Sequence, residues 1–369
     1  MAKRIKILYT IPNFDTAGSG KVVYDLVKHI DKTKFEPHIC CTHDKGEFFK
    51  RVEALNVPIH IFKVAAKYRP FITLPFRVWK IKQFFKHHQF DIIHSWQWSS
   101  DFTEPLAAKL AGIPFVYTKK AMGWGNKAWR WRSQLSSKIV TINSDMEAQF
   151  FSNITNKVLS IPIGLSINDF GILEKRYNSS DGYSINQDDF VIVSIANLVP
   201  VKGIEILLEA VKQIDNSKIK VFIVGDDSSD YAINLKEKYA NSNIIFTGKK
   251  QDIKSYLALA DVFVIPTKDE GRKEGQPIAP IEAMLSGRVV IGSRISGVKD
   301  ILSSFQDWLF EPSSVSDLKK KLESVTQLHQ EERRQLAKRM FEIASENYNI
   351  EKSIQMHEVL YLKMNKCRT

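Results

Sequence analysis

Short runs of β-branched and apolar residues alternate with longer amphipathic stretches along this chain, and the alternation occurs twice. In the first half, the runs at 5–10, 38–42, 91–94, 115–118, 138–142 and 158–161 predict strands. After a polar stretch at 177–189 the pattern restarts, with strands expected at 191–196, 220–224, 243–246, 262–265 and 289–292. Between them the spacing predicts helices over 20–30, 203–214, 232–240, 253–260 and 280–286. Short, fully apolar strands separated by amphipathic helices indicate parallel sheets covered on both faces. The expected fold class is therefore α/β, with two Rossmann-like, doubly wound domains facing each other across a cleft. The first domain is expected over 1–175 and the second over 185–345, with a helical tail at 346–369 crossing back to pack on the first. Ligands of such folds bind beyond the carboxyl ends of the strands.

The 369 residues suffice for two cores, and 44% hydrophobic with 25% charged residues is the composition of a globular protein. No apolar run reaches the roughly 18 residues that span a bilayer. The amino terminus reads as a first strand and not as a signal peptide. Cys40, Cys41 and Cys367 show no CxxC or Cys/His ligand spacing, which predicts a reduced cytoplasmic protein without a structural metal. The net charge of +12 is one-sided: 25 Lys and Arg against 13 Asp and Glu lie before residue 171, and 28 of each follow. No nucleic-acid recognition motif accompanies that charge, so a nucleic-acid partner is not expected. The segment 67–88 interleaves Arg77, Lys80, Lys82 and Lys86 with Phe76, Trp79, Phe84 and Phe85. That pattern suits weak contact with an anionic membrane surface, peripheral on the inner face. Trp124, Trp129 and Trp131 among Lys and Arg suit sugar stacking at an acceptor site.

The strongest chemical signal is Glu274-Gly275-Gln276-Pro277, continuing through Ile278, Ala279, Pro280 and Ile281 to Glu282-Ala283-Met284 and Gly287. It follows an apolar strand and a charged loop. Pro277 and Pro280 suit a helix start and Gly287 its end. If the segment is helical throughout, its two carboxylates lie roughly 12 Å apart. A glycosidase pair needs roughly 5–9.5 Å, so the spacing instead suits two grips on different parts of one long ligand. A helix start between them would offer N–H groups and positive dipole to a diphosphate.

Glu-Gly-x-Pro-x4-Glu-Ala-Met-x2-Gly resembles the signature of the retaining family 4 glycosyltransferases, which have the GT-B fold. Residues 196–203, with Asn197, Lys202 and Gly203, resemble the strand-turn-helix that opens that family's donor domain. Ala17, Gly18 and Gly20 resemble its first glycine-rich loop, 161–170 its linker, and Ser296-Gly297 to Asp300 the loop after its last shared strand. The resemblance implies that Lys202 neutralises a donor diphosphate, that Glu282 holds the ribose, and that Glu274 contacts sugar hydroxyls at the reacting carbon. Asn197, Gly18, Gly20, Gly275, Gln276 and Pro277 complete the implied donor site. It implies a hexosyl transfer with retention from a nucleoside-diphosphate sugar to a glycan or lipid-linked acceptor, in polysaccharide or glycolipid biosynthesis. No metal cofactor is expected: Asp226–Asp230 follows a strand directly and reads as a turn.

The chain departs from the family pattern in several places. Asn197 stands where an arginine is common, Ile163 and Ser166 replace the linker Asn and Asp, and Gly287-Arg288-Val289 replaces Gly-x-Pro. Lys119-Lys120 stands where a histidine is common. His94 is expected to be a packed or hydrogen-bonded loop residue. A sugar-nucleotide epimerase of the same architecture and a non-catalytic partner subunit are the alternatives.

Overall fold

The computed structural model describes residues 3–15, 17–271 and 274–366, so Cys367 and the loop residues Arg272 and Lys273 lie outside the described residues. The chain divides into two compact units, Met1–Gly164 with Ile350–Thr369, and Leu165–Asn349.

In the first unit seven parallel strands run β1 (Ile5–Thr10), β2 (Phe35–Cys41), β3 (Ile59–Ile61), β4 (Ile92–Ser95), β5 (Phe115–Thr118), β6 (Lys138–Thr141) and β7 (Val158–Ser160). Their order in the sheet is β3-β2-β1-β4-β5-β6-β7. The second unit holds β8 (Phe190–Ile195), β9 (Ile219–Val224), β10 (Ile244–Gly248), β11 (Val262–Ile265), β12 (Val289–Ser293) and β13 (Leu309–Phe310), ordered β10-β9-β8-β11-β12-β13. Both sheets therefore start at a central strand, wind outward, cross back and wind the other way. The reversal between β1 and β4, and between β8 and β11, opens a crevice at the carboxyl ends of the strands. β3 and β13, three and two residues long, escape the sequence pattern.

The boundary between units falls at Gly164/Leu165, earlier than the polar stretch suggested. Backbone hydrogen bonds explain the difference. Leu165 N–H donates to the Tyr348 carbonyl at 2.8 Å, Gly171 to Leu285 at 3.0 Å, Leu173 to Ser286 at 3.1 Å and Arg176 to Ala258 at 2.9 Å. Residues 165–176 are thus stitched to the second unit. Arg288, one of the departures from the family pattern, reinforces this: its buried guanidinium donates to the carbonyls of Ala260 and Leu173. Burial pulls that guanidinium down to about 10.

Helix Ile350–Lys366 contributes Ile354, Leu360, Tyr361 and Met364 to the first unit's core, on the sheet face that carries Ile7, Ile92, Val116 and Val140. His94 fastens it. This residue sits on β4 itself, not in a loop, and is wholly buried. Its Nδ1 lies 2.6 Å from the Tyr361 hydroxyl and its Nε2 2.8 Å from Thr118 Oγ1. Beside it, His357 is also buried, with Nδ1 2.8 Å from the Ser353 carbonyl.

The opposite face, with Leu8, Ile93, Phe115 and Ile139, takes helix Leu74–His88 through Val78, Ile81 and Phe85. This corrects the expected membrane-facing set. Phe85 lies in the core and Phe84 stacks on Phe62 at 4.3 Å, because both fall on the inward stripe. Arg77 turns back onto the carbonyls of Lys67, Arg69 and Pro70. Phe71, Ile72, Phe76 and Trp79 are exposed, Ile72 by 90%.

Burial holds His357 down to about 4 and keeps His94 well below the usual histidine range. An unfolded histidine protonates near 6.5, so between those values the unfolded chain binds more protons and stability falls as pH falls. A full shift of this size is worth about 3 kcal/mol. The urea midpoint of the first unit should therefore drop between pH 7.5 and 5, and the drop should be smaller in His357→Leu. An equal drop in both proteins would show that His357 is not held neutral.

Candidate functional site

The sequence-predicted site residues of the second unit follow strands at the carboxyl edge of its sheet, Lys202 and Glu274 on connecting segments and Glu282 on the helix Ala279–Leu285. After β8, residues 196–199 lead into a short 3-10 turn, Pro200–Lys202. Gly203 follows in the left-handed region (φ 63°, ψ 28°) and caps helix Ile204–Lys212. A Cβ there would overlap the Pro266 carbonyl oxygen in the loop after β11. The same two loops are joined by the Lys268 N–H, which donates to the Val201 carbonyl at 2.8 Å. Glycine at 203 is thus required twice, by its backbone angle and by the approach of a neighbouring strand's loop.

That approach brings Lys202 and Glu274 together. They are 72 residues apart in sequence, and the Lys202 ammonium pairs with Glu274 Oε1. Both side chains are about four-fifths buried, at 22% and 19% exposed. One loop supplies a fixed cation and the other a carboxylate, flanking the crevice between β8 and β11. A second cation stands nearby in sequence: Lys268 is ion-paired with Glu205 at 2.5 Å and Glu270 at 3.4 Å. Lys268 was visible only as one charge in a charged loop, and its partner Glu205, on the earlier helix Ile204–Lys212, made no sequence pattern with it.

Gly275, Gln276 and Pro277 are buried beneath the loop after β12. A Cβ on Gly297 would overlap the Gly275 carbonyl, and Pro277 Cδ lies 3.2 Å from that position. The helix itself runs only Ala279–Leu285. The 12 Å separation of Glu274 and Glu282 presumed continuous helix, and that premise fails because residues 274–278 form an irregular loop. Glu282 is half-buried on the helix, and its N–H donates to the Ile278 carbonyl at 3.0 Å. The helix ends in a Schellman motif, with Gly287 N–H on Met284 at 2.9 Å and Arg288 N–H on Ala283 at 3.0 Å. Asn197 is exposed just past β8.

Asp226 belongs to a turn: its Oδ1 accepts from the Ser228 N–H at 3.0 Å and hydroxyl at 2.6 Å. Asp227 pairs with Lys236 at 3.1 Å. Among the described residues no group of three or more His, Cys, Asp or Glu could hold a metal ion.

The first unit holds the remaining sequence candidates. Gly18 and Gly20 are not in a loop; they lie in the first turn of helix Ala17–His29. A Cβ on Gly20 would stand 3.1 Å from Phe14 Cδ1, so this glycine serves packing, while Gly18 faces open space. Lys119 is buried, with Nζ 2.6 Å from the Gly123 carbonyl and 3.9 Å from the Trp124 ring. Trp124 and Trp129 stack at 5.0 Å, whereas Trp131 is 61% exposed. The Lys120 ammonium bonds the Trp96 carbonyl and lies 3.9 Å from the exposed Trp98 ring.

Comparison with known proteins agrees with this geometry. Residues 16–167 match the model "Glycosyltransferase Family 4", and residues 176–342 match "Glycosyl transferases group 1". An uncharacterised glycosyltransferase of Methanocaldococcus jannaschii is 26% identical over 315 residues, covering 81% of this chain and 82% of that protein. The Campylobacter jejuni N,N'-diacetylbacillosaminyl-diphospho-undecaprenol alpha-1,3-N-acetylgalactosaminyltransferase is 22% identical, over 80% and 83% of the two chains. Anabaena HepE, solved with UDP and glucose, shares the fold at a TM-score of 0.77 and 18% identity, over 97% and 99% of the two chains. With its two sheets matched in turn by the two models, the chain belongs to the family 4 glycosyltransferases and has the GT-B fold.

Proposed function

We propose that this enzyme transfers a hexosyl unit, with retention, from a nucleoside-diphosphate sugar held on the second unit to a glycan or lipid-linked acceptor. The observation that carries the reading is the pairing of Lys202 with Glu274 at the β8/β11 crevice. A diphosphate leaving group gains most from fixed cations in a partly desolvated site. Lys202 provides one, and Glu274 accepts hydroxyl hydrogen bonds from the sugar beside it. Glu282 serves the ribose. In the reaction the bond from the anomeric carbon to the diphosphate oxygen breaks, and the acceptor oxygen bonds to the same face. The acceptor's proton leaves with the diphosphate, and no metal takes part. The C. jejuni relative's undecaprenol-linked acceptor supports a lipid-linked acceptor, and hence a place in cell-surface polysaccharide or glycolipid synthesis at the inner membrane face. No described helix is long and apolar enough to cross a membrane. Exposed Phe71, Ile72, Phe76 and Trp79, with exposed Lys80 and Lys86, suit a reversible surface contact instead.

A thermal-shift screen with UDP, GDP and ADP should identify the nucleotide, since a ligand of the folded state raises the midpoint. Lys202→Ala and Glu282→Ala should then each weaken its binding by about 1.5–3 kcal/mol in calorimetric titration. Lys202→Ala also leaves Glu274 unpaired, which repels the diphosphate. Unchanged affinity in both folded variants would remove the donor-site assignment.

Glu274→Gln should lower turnover of a radiolabelled donor more than donor affinity. Wild-type transfer should persist in EDTA. Wild-type turnover in Glu274→Gln would make this residue a loop position only, and magnesium-dependent revival would overturn the metal-free reading.

Phosphatidylglycerol vesicles should sediment the protein at low salt, and phosphatidylcholine vesicles should not. Phe76→Ser with Trp79→Ser should leave it in the supernatant, because about 1 kcal/mol per surface cation is too little without the rings. Equal recovery in the supernatant with every vesicle type would sink the contact.

A further inference from the structure

The seven-stranded sheet of the first unit is covered unevenly. Helix Ile350–Lys366 shares its face with helices Ala17–His29 and Glu47–Glu53, which pack with β1, β2 and β4. Toward β5, β6 and β7 no further helix of that face follows among the described residues, and a trough of about 910 Å³ opens between Ile350–Lys366 and the amino ends of these strands. Its apolar wall is aliphatic and thioether: Leu159, Met356, Val359 and Met364, with Leu159 36% and Val359 43% exposed. Among the described residues its charged lining is Lys138, Lys363 and Lys366, with no acid. Lys138 also donates to the Asn156 carbonyl at 2.8 Å. The surrounding field is positive too, since Lys109 and Lys138 help hold the Lys157 ammonium below the usual range, after burial as the main cause.

We propose that this trough binds one acyl chain of an anionic lipid, with the hydrocarbon on Leu159, Met356 and Val359 and the head group on the lysine rim. The volume is that of a small-molecule site, and an apolar wall with a few polar groups fixing one end is how such sites select ligands. Two rival occupants fit less well. A second copy of this chain docked about a two-fold axis sets lysine rim against lysine rim. A protein partner draws on aromatic and arginine anchors, and among the described residues this wall has neither. The trough belongs to the first unit and the crevice proposed for the donor to the second, and exposed Phe76 and Trp79 stand on a helix that packs on the other face of the first sheet.

The test uses the full chain and cis-parinaric acid, a fluorescent anionic chain of eighteen carbons, as probe. Saturable 1:1 binding is expected, displaced by lysophosphatidylglycerol below its micelle concentration and at least tenfold weaker for the uncharged methyl ester. Val359→Trp, which fills the trough, and Lys363→Glu, which reverses its rim, should each weaken parinarate at least tenfold. Both should keep the wild-type thermal shift with nucleotide, which separates this idea from the donor site. Equal binding of acid and ester, unaltered binding in Val359→Trp, or failure of lysophosphatidylglycerol to displace the probe would each overturn it. So would a dimer in sedimentation velocity that Val359→Trp dissociates, which would assign the trough to a second copy.

Discussion

The parallel ladder of β8 between β9 and β11 is the constraint on which the second unit depends. Ile192 pairs with both Val221 and Val262, so the central strand is hydrogen-bonded on each side. Parallel strands place all their carboxyl ends on one edge, and each exit must be made by a loop there. Because the chain winds outward from β8 through β9 and then returns to β11, the loops leaving β8 and β11 diverge in sequence while neighbouring in space. Lys202 and Glu274 meet for that reason. The loop contact is tightened by Gly203 against Pro266 and by the Lys268 N–H on Val201.

The first unit solves the same topological problem with a buried ion pair. Arg132 donates to Glu104 Oε2 at 3.0 Å, both side chains being at most 1% exposed, and Glu104 also accepts from the hydroxyls of Thr10 and Ser95 at the ends of β1 and β4. Two charges in an apolar setting are costly to desolvate, and the arrangement is tolerable because both carboxylate oxygens accept hydrogen bonds. Arg132 further reaches the Asp101 carbonyl at 3.1 Å and lies over Tyr117 at 5.0 Å. The reversal between β1 and β4 is therefore filled and rigid, whereas the corresponding reversal in the second unit presents a partly exposed pair. That contrast is consistent with placing the charged donor on the second unit.

Packing of the last helix explains a further asymmetry. Ile350–Lys366 closes one face of the first sheet through His94, Tyr361 and Ser353, the last donating to the Pro162 carbonyl at 2.8 Å. One helix cannot cover three remaining strands, and the lysine-rimmed trough is the part left open.

By itself the sequence determined the α/β class and eleven of the strands, because short β-branched runs are local properties, and it marked the 274–287 block as a candidate. It also carried Lys202 and Glu282 as candidates through resemblance. Tertiary structure decided what depends on distant partners. The unit boundary moved to residue 165 because backbone bonds to Leu285, Ser286 and Tyr348 outrank a polar stretch in composition. Phe84 and Phe85 turned inward because only packing selects which stripe of a basic, aromatic helix is buried. Gly20 proved to be a contact with Phe14, and His94 a clasp for a helix more than 250 residues away, neither of which leaves a periodic signal. The pairing of Lys202 with Glu274 is of the same kind: strand order, not spacing along the chain, sets which loops are neighbours.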